Sequence, residues 1–280
     1  MTAYSVYDVF TKQPFGGNQL AVIPNAIHLP EMDLQRIAAE FNFSETTFVY
    51  PPSDTNNTAH VRIFTPTMEV PFAGHPVIGT AVALASAGHG PQMTFELGVG
   101  PLSVHAEKGA ASFTTSADLE ILAQPDLAVV AKALGVAPTH IRTDRHPPIM
   151  VSLGLAFTFT EIDSREALAA LETDVSAFRQ GNAAYPSGLD FAQFVYVRDG
   201  NHIDARMFAP LDNIPEDPAT GSACATLAAL LAHKEGTDLT FDILQGEDMG
   251  RPSHIQATTN GPAVTISGHA VCTMQGTLVY

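Results

Sequence analysis

Two segments of this chain repeat one pattern half a chain apart. VRIFTPTMEVPFAGHPVIGTAVAL begins at Val61, and ARMFAPLDNIPEDPATGSACATL begins at Ala205. Each opens Arg-x-Phe-x-Pro, with Arg62, Phe64 and Pro66 in the first and Arg206, Phe208 and Pro210 in the second. Each then reaches (His or Asp)-Pro-x-x-Gly-(Thr or Ser)-Ala-x-Ala: His75, Pro76, Gly79, Thr80 and Ala81 against Asp217, Pro218, Gly221, Ser222 and Ala223. Arg206 stands 144 positions after Arg62, and Asp217 stands 142 after His75, in a chain of 280 residues. Self-similarity at this spacing points to duplication, with one copy in each of two similar domains. Aligned this way, the second loop is two residues shorter than the first.

The repeat reads as strand, loop and buried helix. VRIF and ARMF alternate as strands do, and Pro66 and Pro210 end them by removing a donor. Pro76 and Pro218 suit a first helical turn, where the missing N–H is no loss. The following residues are small or apolar on every side, so each helix belongs inside its domain. Short strands dominate elsewhere: YSVYDVF, LAVIP, TTFVYP, MTFEL, LSVHAE, ASFTT, MVSLGLAFTFTEI, FAQFVYV, LTFDI, HIQATT and AVTISGHAVCTM. Amphipathic helices are expected over Met32–Phe41, Leu127–Leu134 and Arg165–Leu171. The fold class is α+β, a mostly antiparallel sheet rolled around a central helix in each copy. The expected division is residues 1–119 and 120–267, with a last strand, 268–280, returning to the first domain.

The start of a buried helix exposes unpaired N–H groups and a positive dipole end, which bind carboxylate or phosphate without a basic side chain. Glycine there lets a ligand approach the backbone. The other reading is two helix starts whose glycines only serve packing. The ionisable residues ahead of the helices, His75 and Asp217, favour the functional reading, because packing alone has no need of them. On this view both point into one cleft, each held extended before its proline. Glu45, in NFSETTFV, lies between an amphipathic helix and a strand. A partly desolvated carboxylate there suits acid/base work, but from the residues alone a capping Glu is the simpler account. QGEDMGRPS, from Gln245, reads as a tight loop bringing backbone N–H groups toward the site, with a faint counterpart in LGVGPLS from Leu97.

Composition narrows the function. A formal charge of −16 argues against nucleic acid or an anionic membrane as partner. No apolar run is long enough to span a bilayer. No basic and apolar leader is visible at the start, so the cytoplasm is expected and the Asn-x-Ser/Thr patterns at Asn42 and Asn56 are discounted. The two cysteines make no disulfide scaffold, and Cys224, flanked by alanines, reads as packing. No His pair has metal-ligand spacing, and the glycine-rich phosphate and nucleophile-elbow motifs are missing.

Together, NFSETTFV, PFAGHPVIGTA, RMFAP…EDPATGSA and QGEDMGRPS resemble the phenazine-biosynthesis PhzF-like family, of the diaminopimelate epimerase fold. The resemblance runs from Asp8 to at least Ser253. It implies two similar domains with one active site in the cleft between them, no cofactor, and isomerase chemistry on a small carboxylate-bearing substrate. Related epimerases use a cysteine pair at the two helix starts; no Cys stands there here, which disfavours a two-thiol mechanism. By match, Glu45 becomes the proton carrier, moving a proton between carbons of a cyclic acid. His75 and Asp217 are the remaining catalytic residues. Asn18, Ser44, Gly74, Gly79, Thr80, Gly221, Ser222 and Gly246 bind the substrate. The resemblance also implies a homodimer. Gly17-Asn18-Gln19 and Asn213-Ile214 depart from the family's usual Gly-Asn-Pro and Gly-Ile, which leaves the substrate open. The alternative is a protein that keeps the fold and only binds a metabolite or partner; Glu45, His75 and Asp217 together favour the enzyme.

Overall fold

The computed structural model describes all 280 residues, and the chain divides into two compact units, Met1–Thr114 with Ile266–Tyr280, and Thr115–Thr265. Both mix strands and helices, an α+β architecture. No helix is long and apolar enough to cross a membrane.

The first unit contains β1 (Thr2–Val9), β2 (Asn18–Ile23), α1 (Glu31–Phe41), β3 (Glu45–Tyr50), β4 (Ala59–Phe64), β5 (Glu69–Val70), α2 (Gly74–Ser86), β6 (Gln92–Leu97), β7 (Gly100–Glu107) and β8 (Ala110–Thr115). Strand β1 pairs antiparallel with β2, β2 parallel with β3, β3 antiparallel with β4, β4 parallel with β6, and β6 to β8 antiparallel in turn. The last strand of the chain pairs with both β8 and β1 and closes the ring. Helix α2 packs on β1, β2, β3 and β7, and its residues from Gly74 to Val82 are all buried. Such burial suits a helix of small and apolar residues and no charge. Helix α1 covers the other face, where Leu34 and Ile37 meet Phe48 and Phe64.

The second unit follows with β9 (Glu120–Ala123), α3 (Leu127–Leu134), β10 (Ile149–Ser152), β11 (Ala156–Glu161), α4 (Arg165–Ala169), α5 (Val175–Ala184), β12 (Gln193–Asp199), β13 (His202–Ala209), β14 (Ile214–Asp217), α6 (Gly221–Glu235), β15 (Thr240–Gln245) and β16 (Ser253–Asn260); the long β17 (Ala263–Leu278) starts in this unit and belongs to the first from Ile266 on. From β10 to β16 the pairings run antiparallel, parallel, antiparallel, parallel, antiparallel, the same series as from β1 to β7. The short β5 and β14 each pair back onto the strand before them. Helix α6 packs on β10, β15 and β16 and buries Ala223, Cys224, Leu227 and Leu231. Helices α3 and α5 form the opposite layer, where Phe178 of α5 joins Phe191, Val195 and Phe208 in one core.

Three features depart from expectation. MVSLGLAFTFTEI is two strands, β10 and β11, turned at Gly154, rather than one. Helix α5 was not anticipated; Asp174 caps it by accepting from the amides of Ser176 and Ala177. Strand β9 was also missed, since its Ile121 and Leu122 lack an alternating partner pattern.

Candidate active site

The pairings correct the register in which the two copies correspond. Phe64 pairs with Glu69, and Ile63 with Val70, while Met207 pairs with Asp217. Arg62 makes two hydrogen bonds to Glu69, and Arg206 makes two to Glu216. Each guanidinium also lies over the phenylalanine two residues on, Phe64 or Phe208. Glu69 thus matches Glu216, and Pro71 matches Pro218. The helix starts then coincide, with Ala73 and Thr220 as N-caps and Gly74 and Gly221 as first helical residues. His75 therefore corresponds to Ser222, not to Asp217, and the second loop is three residues longer, not two shorter. The small-residue run inside α2 imitates the start of α6, which is why the sequence alignment slipped.

This register moves several expected binding positions. Gly79 and Thr80 lie in the second turn of α2, not at its free end. A β-carbon on Gly79 would sit 2.5 Å from Leu20 Cδ2, so that glycine lets α2 press on β2. Thr80 is fully buried and its hydroxyl is 2.9 Å from that of Thr47. The amides with no partner inside α2 are those of Gly74 and His75; those of α6 belong to Gly221, Ser222 and Ala223. His75 is itself helical, not extended ahead of the helix.

In the first unit Glu45 and His75 meet. Glu45 and Thr47 share one face of β3, the face turned to α2. Thr47 reaches Thr80 in the second turn, and Glu45 Oε2 lies 3.2 Å from His75 Nδ1 in the first. The parallel register sets Leu20 beside Glu45, which brings the starts of β2 and β3 together. Asn18, buried at the start of β2, and Ser44, half-buried just before β3, thus flank the pair. The side chain of His75 is 5% exposed and that of Glu45 17%. Burial lowers the imidazole pKa to about 3, and a backbone hydrogen bond with Gln19 opposes the shift only weakly. The ring is therefore neutral near pH 7, and the contact with Glu45 is not an ion pair despite its length. His75 Nε2 is buried with no hydrogen-bond partner in the protein.

In the second unit Asp217 ends β14, three residues ahead of the α6 N-cap. Its Oδ2 accepts from the Thr220 hydroxyl at 2.6 Å. Gln245, at the end of β15, donates to the Asp217 carbonyl at 2.7 Å and to Thr220 Oγ1 at 2.9 Å, and its Oε1 accepts from the Thr220 amide at 3.1 Å. Neither Thr220 nor Gln245 was singled out in the sequence; a Gln closing a strand and a Thr before a helix glycine carry no signal of their own. Gly246 holds φ at +77°, and a β-carbon there would lie 2.5 Å from the Arg251 carbonyl oxygen and 2.7 Å from that of Pro218. Its bareness serves this contact with the loop that follows Asp217. Gly98 stands likewise against Pro71 in the first unit, with 2.7 Å to Pro71 Cα. Cys224 is fully buried, and burial first, then the charge of Asp217, pushes its thiol pKa up, so it stays protonated. His75 and Asp217 are themselves buried, at 5% and 7%. Replacing either is therefore expected to touch stability as well as the site.

Curated relatives of this chain are named isomerases. The chain is 35% identical to the trans-2,3-dihydro-3-hydroxyanthranilate isomerase of Pseudomonas fluorescens, over 100% of both chains. It is 37% identical to an uncharacterised isomerase of Mesorhizobium japonicum, over 98% of each. Among solved structures, a phenazine biosynthesis protein of the PhzF family from Bacillus anthracis superposes with a TM-score of 0.88 at 21% identity, covering 100% of this chain and 99% of that one. The relatives define the class: the protein is an isomerase. The family described as phenazine biosynthesis-like protein matches residues 7–276, and the chain belongs to it.

Proposed function

We propose that this isomerase moves a proton between two carbons of a small cyclic carboxylate with no cofactor, and that Glu45 carries the proton. The observation that carries the reading is the Glu45–His75 contact at the first turn of the buried helix α2. The carboxylate removes a proton from one carbon, and the electron pair left behind enters the ring's π-system. The same carboxyl group, whose proton exchanges with water while the intermediate is bound, then protonates a second carbon, so nothing is gained or lost overall. A partly desolvated carboxylate is suited to both halves of this exchange.

His75, neutral at working pH, cannot tie Glu45 into a permanent ion pair. It offers a hydrogen bond through Nε2, the buried atom that lacks a protein partner. The amides of Gly74 and His75 at the start of α2 are the natural donors for the substrate carboxylate, and those of Gly221 and Ser222 form an anion-binding element of the same kind. Asp217 accepts from the substrate's amine. Asn18 and Ser44 belong to the wall beside Glu45, and Gly246 acts by shaping the Asp217 loop. We read the two units as copies of one ancestral domain, given their matching pairing series, and the active protein as a cytoplasmic homodimer.

The test uses trans-2,3-dihydro-3-hydroxyanthranilate, the compound named for the Pseudomonas fluorescens relative, and a panel of cyclic amino acids, each incubated in heavy water. The expected result is deuterium at the carbon that receives the proton, lost in Glu45→Gln. No label in any compound with the wild-type protein, or equal label with Glu45→Gln, overturns the reading.

A further inference from the structure

The corrected register exposes an asymmetry between the units. In the second, Asp217, Thr220 and Gln245 are polar and bonded to one another. The matching positions in the first are Val70, Ala73 and Leu97. Val70 pairs with Ile63 as Asp217 pairs with Met207, and Ala73 caps α2 as Thr220 caps α6. Leu97 ends β6 as Gln245 ends β15, and Gly98 and Gly246 follow them onto the paired prolines. One scaffold is thus held by three apolar residues in one place and by a hydrogen-bonded trio in the other. The scaffold itself does not need the polar trio.

We infer that Gln245 is a positioning residue for Asp217, acting through Thr220, an inference that rests on the proposed role of Asp217. Gln245 is 1% exposed, so its amide has no water to exchange partners with. Its NH₂ group holds the Asp217 carbonyl and the Thr220 oxygen at once, while its carbonyl takes the Thr220 amide. With that oxygen receiving from Gln245, the Thr220 hydroxyl proton is free to point at Asp217 Oδ2, where the 2.6 Å contact lies. The carboxylate is fixed at its backbone by one end of the glutamine and at its side chain by the hydroxyl the glutamine orients. Fixing a reacting group this way raises turnover, because a displacement of about 1 Å can cost about a hundredfold in rate.

The experiment compares wild type with Gln245→Leu and Thr220→Ala, the residues the first unit carries at the same places, each alone and combined with Asp217→Asn. If the wild type turns over the substrate, Gln245→Leu should lower kcat by about tenfold or more with little change in KM, and should cost nothing further once Asp217 is Asn. An equal loss in both backgrounds would overturn the inference, since a purely structural glutamine acts whether or not Asp217 is present. Thr220→Ala gives the same comparison if Gln245→Leu does not fold. A second readout needs no substrate: the carboxyl ¹³C resonance of Asp217, assigned by its loss in Asp217→Asn, should be displaced in both single variants. An unmoved resonance overturns the inference. A wild type that is inactive on every substrate, with a displaced resonance, refutes the proposed reaction and leaves the positioning intact.

Discussion

The protonation state of His75 can be tested through stability alone. Its pKa is held at about 3 in the folded protein against an ordinary 6.5. A base whose folded pKa is depressed adds stability that is fully present above the unfolded value. That stability is lost as pH falls, because below 6.5 the unfolded chain takes up a proton that the folded one refuses. The window runs from 6.5 down to about 3. Each pH unit inside it costs about 1.4 kcal/mol, so at pH 4.5 the imidazole alone removes roughly 3 kcal/mol. His75→Gln keeps a polar side chain that does not titrate. The assay is urea unfolding followed by far-ultraviolet circular dichroism, for both proteins, between pH 4.5 and 8. His75→Gln should be the less stable at pH 7.5, and the gap should close by about 2–3 kcal/mol toward pH 4.5. His146 and His269, whose pKa values burial also lowers, act alike in both proteins and cancel in the difference. Parallel curves would refute the reasoning. They would mean that the folded pKa is not shifted, and a gap that widens toward low pH would refute it as well, since the charge of Glu45 would then outweigh burial and the site would hold an imidazolium–carboxylate pair in place of a neutral ring.

Further outcomes follow from the same geometry. Glu45→Gln should lower turnover by about a hundredfold or more in steady-state assays on the substrate identified by label incorporation, with little change in melting temperature because the shape is kept. Asp217→Asn should also lower turnover, and should cost some stability as well, since Thr220 donates to the carboxylate at 2.6 Å. Gly246→Ala should destabilise the protein by about 2 kcal/mol or more in thermal or urea unfolding, from a positive φ and a clash with two carbonyl oxygens. Sedimentation at micromolar concentration should give a dimer, with the half-exposed Ile121 and Leu122 of β9 among the apolar side chains in need of cover; a monomer refutes it.

Much of the architecture was legible because the signals were physical and local. Arg62-x-Phe64 and Arg206-x-Phe208 mark equivalent strands, and in each the arginine grips a glutamate on the short strand that follows. The buried helices showed as runs without a polar face, and Leu127–Leu134 is bounded by Asp126 and Gly135, a side-chain cap and a left-handed stop. The loop between strand and helix was not legible. Its length differs between the copies, and GHPVIGTA contains a glycine and a threonine inside the helix that mimic the glycine and serine at the start of α6. Only strand pairing could decide between the two registers. Gln245 was invisible for a related reason: its importance lies in three bonds to residues 25 and 28 positions away, and sequence period carries no trace of them.

The register matters beyond bookkeeping, because it changes what each half of the scaffold contributes. Under the sequence alignment, His75 and Asp217 were counterparts, one titratable group ahead of each helix. In the structure His75 shares its place with Ser222, and Asp217 with Val70. By the same strand register, in which Phe64 faces Thr46 and Phe208 faces Gln193, Glu45 shares its place with Ala192. The first unit therefore carries a carboxylate and an imidazole where the second has Ala192 and Ser222. The second carries an oriented aspartate where the first has only apolar side chains. What the units have in common is the helix start itself, a glycine whose amide has no partner within the helix. On the proposed reading, like helix starts with unlike side chains around them confine the proton-carrying group to the first unit. That is the division expected of an isomerase that works with a single carried proton, and it differs from the symmetric pair of groups a two-base racemase requires.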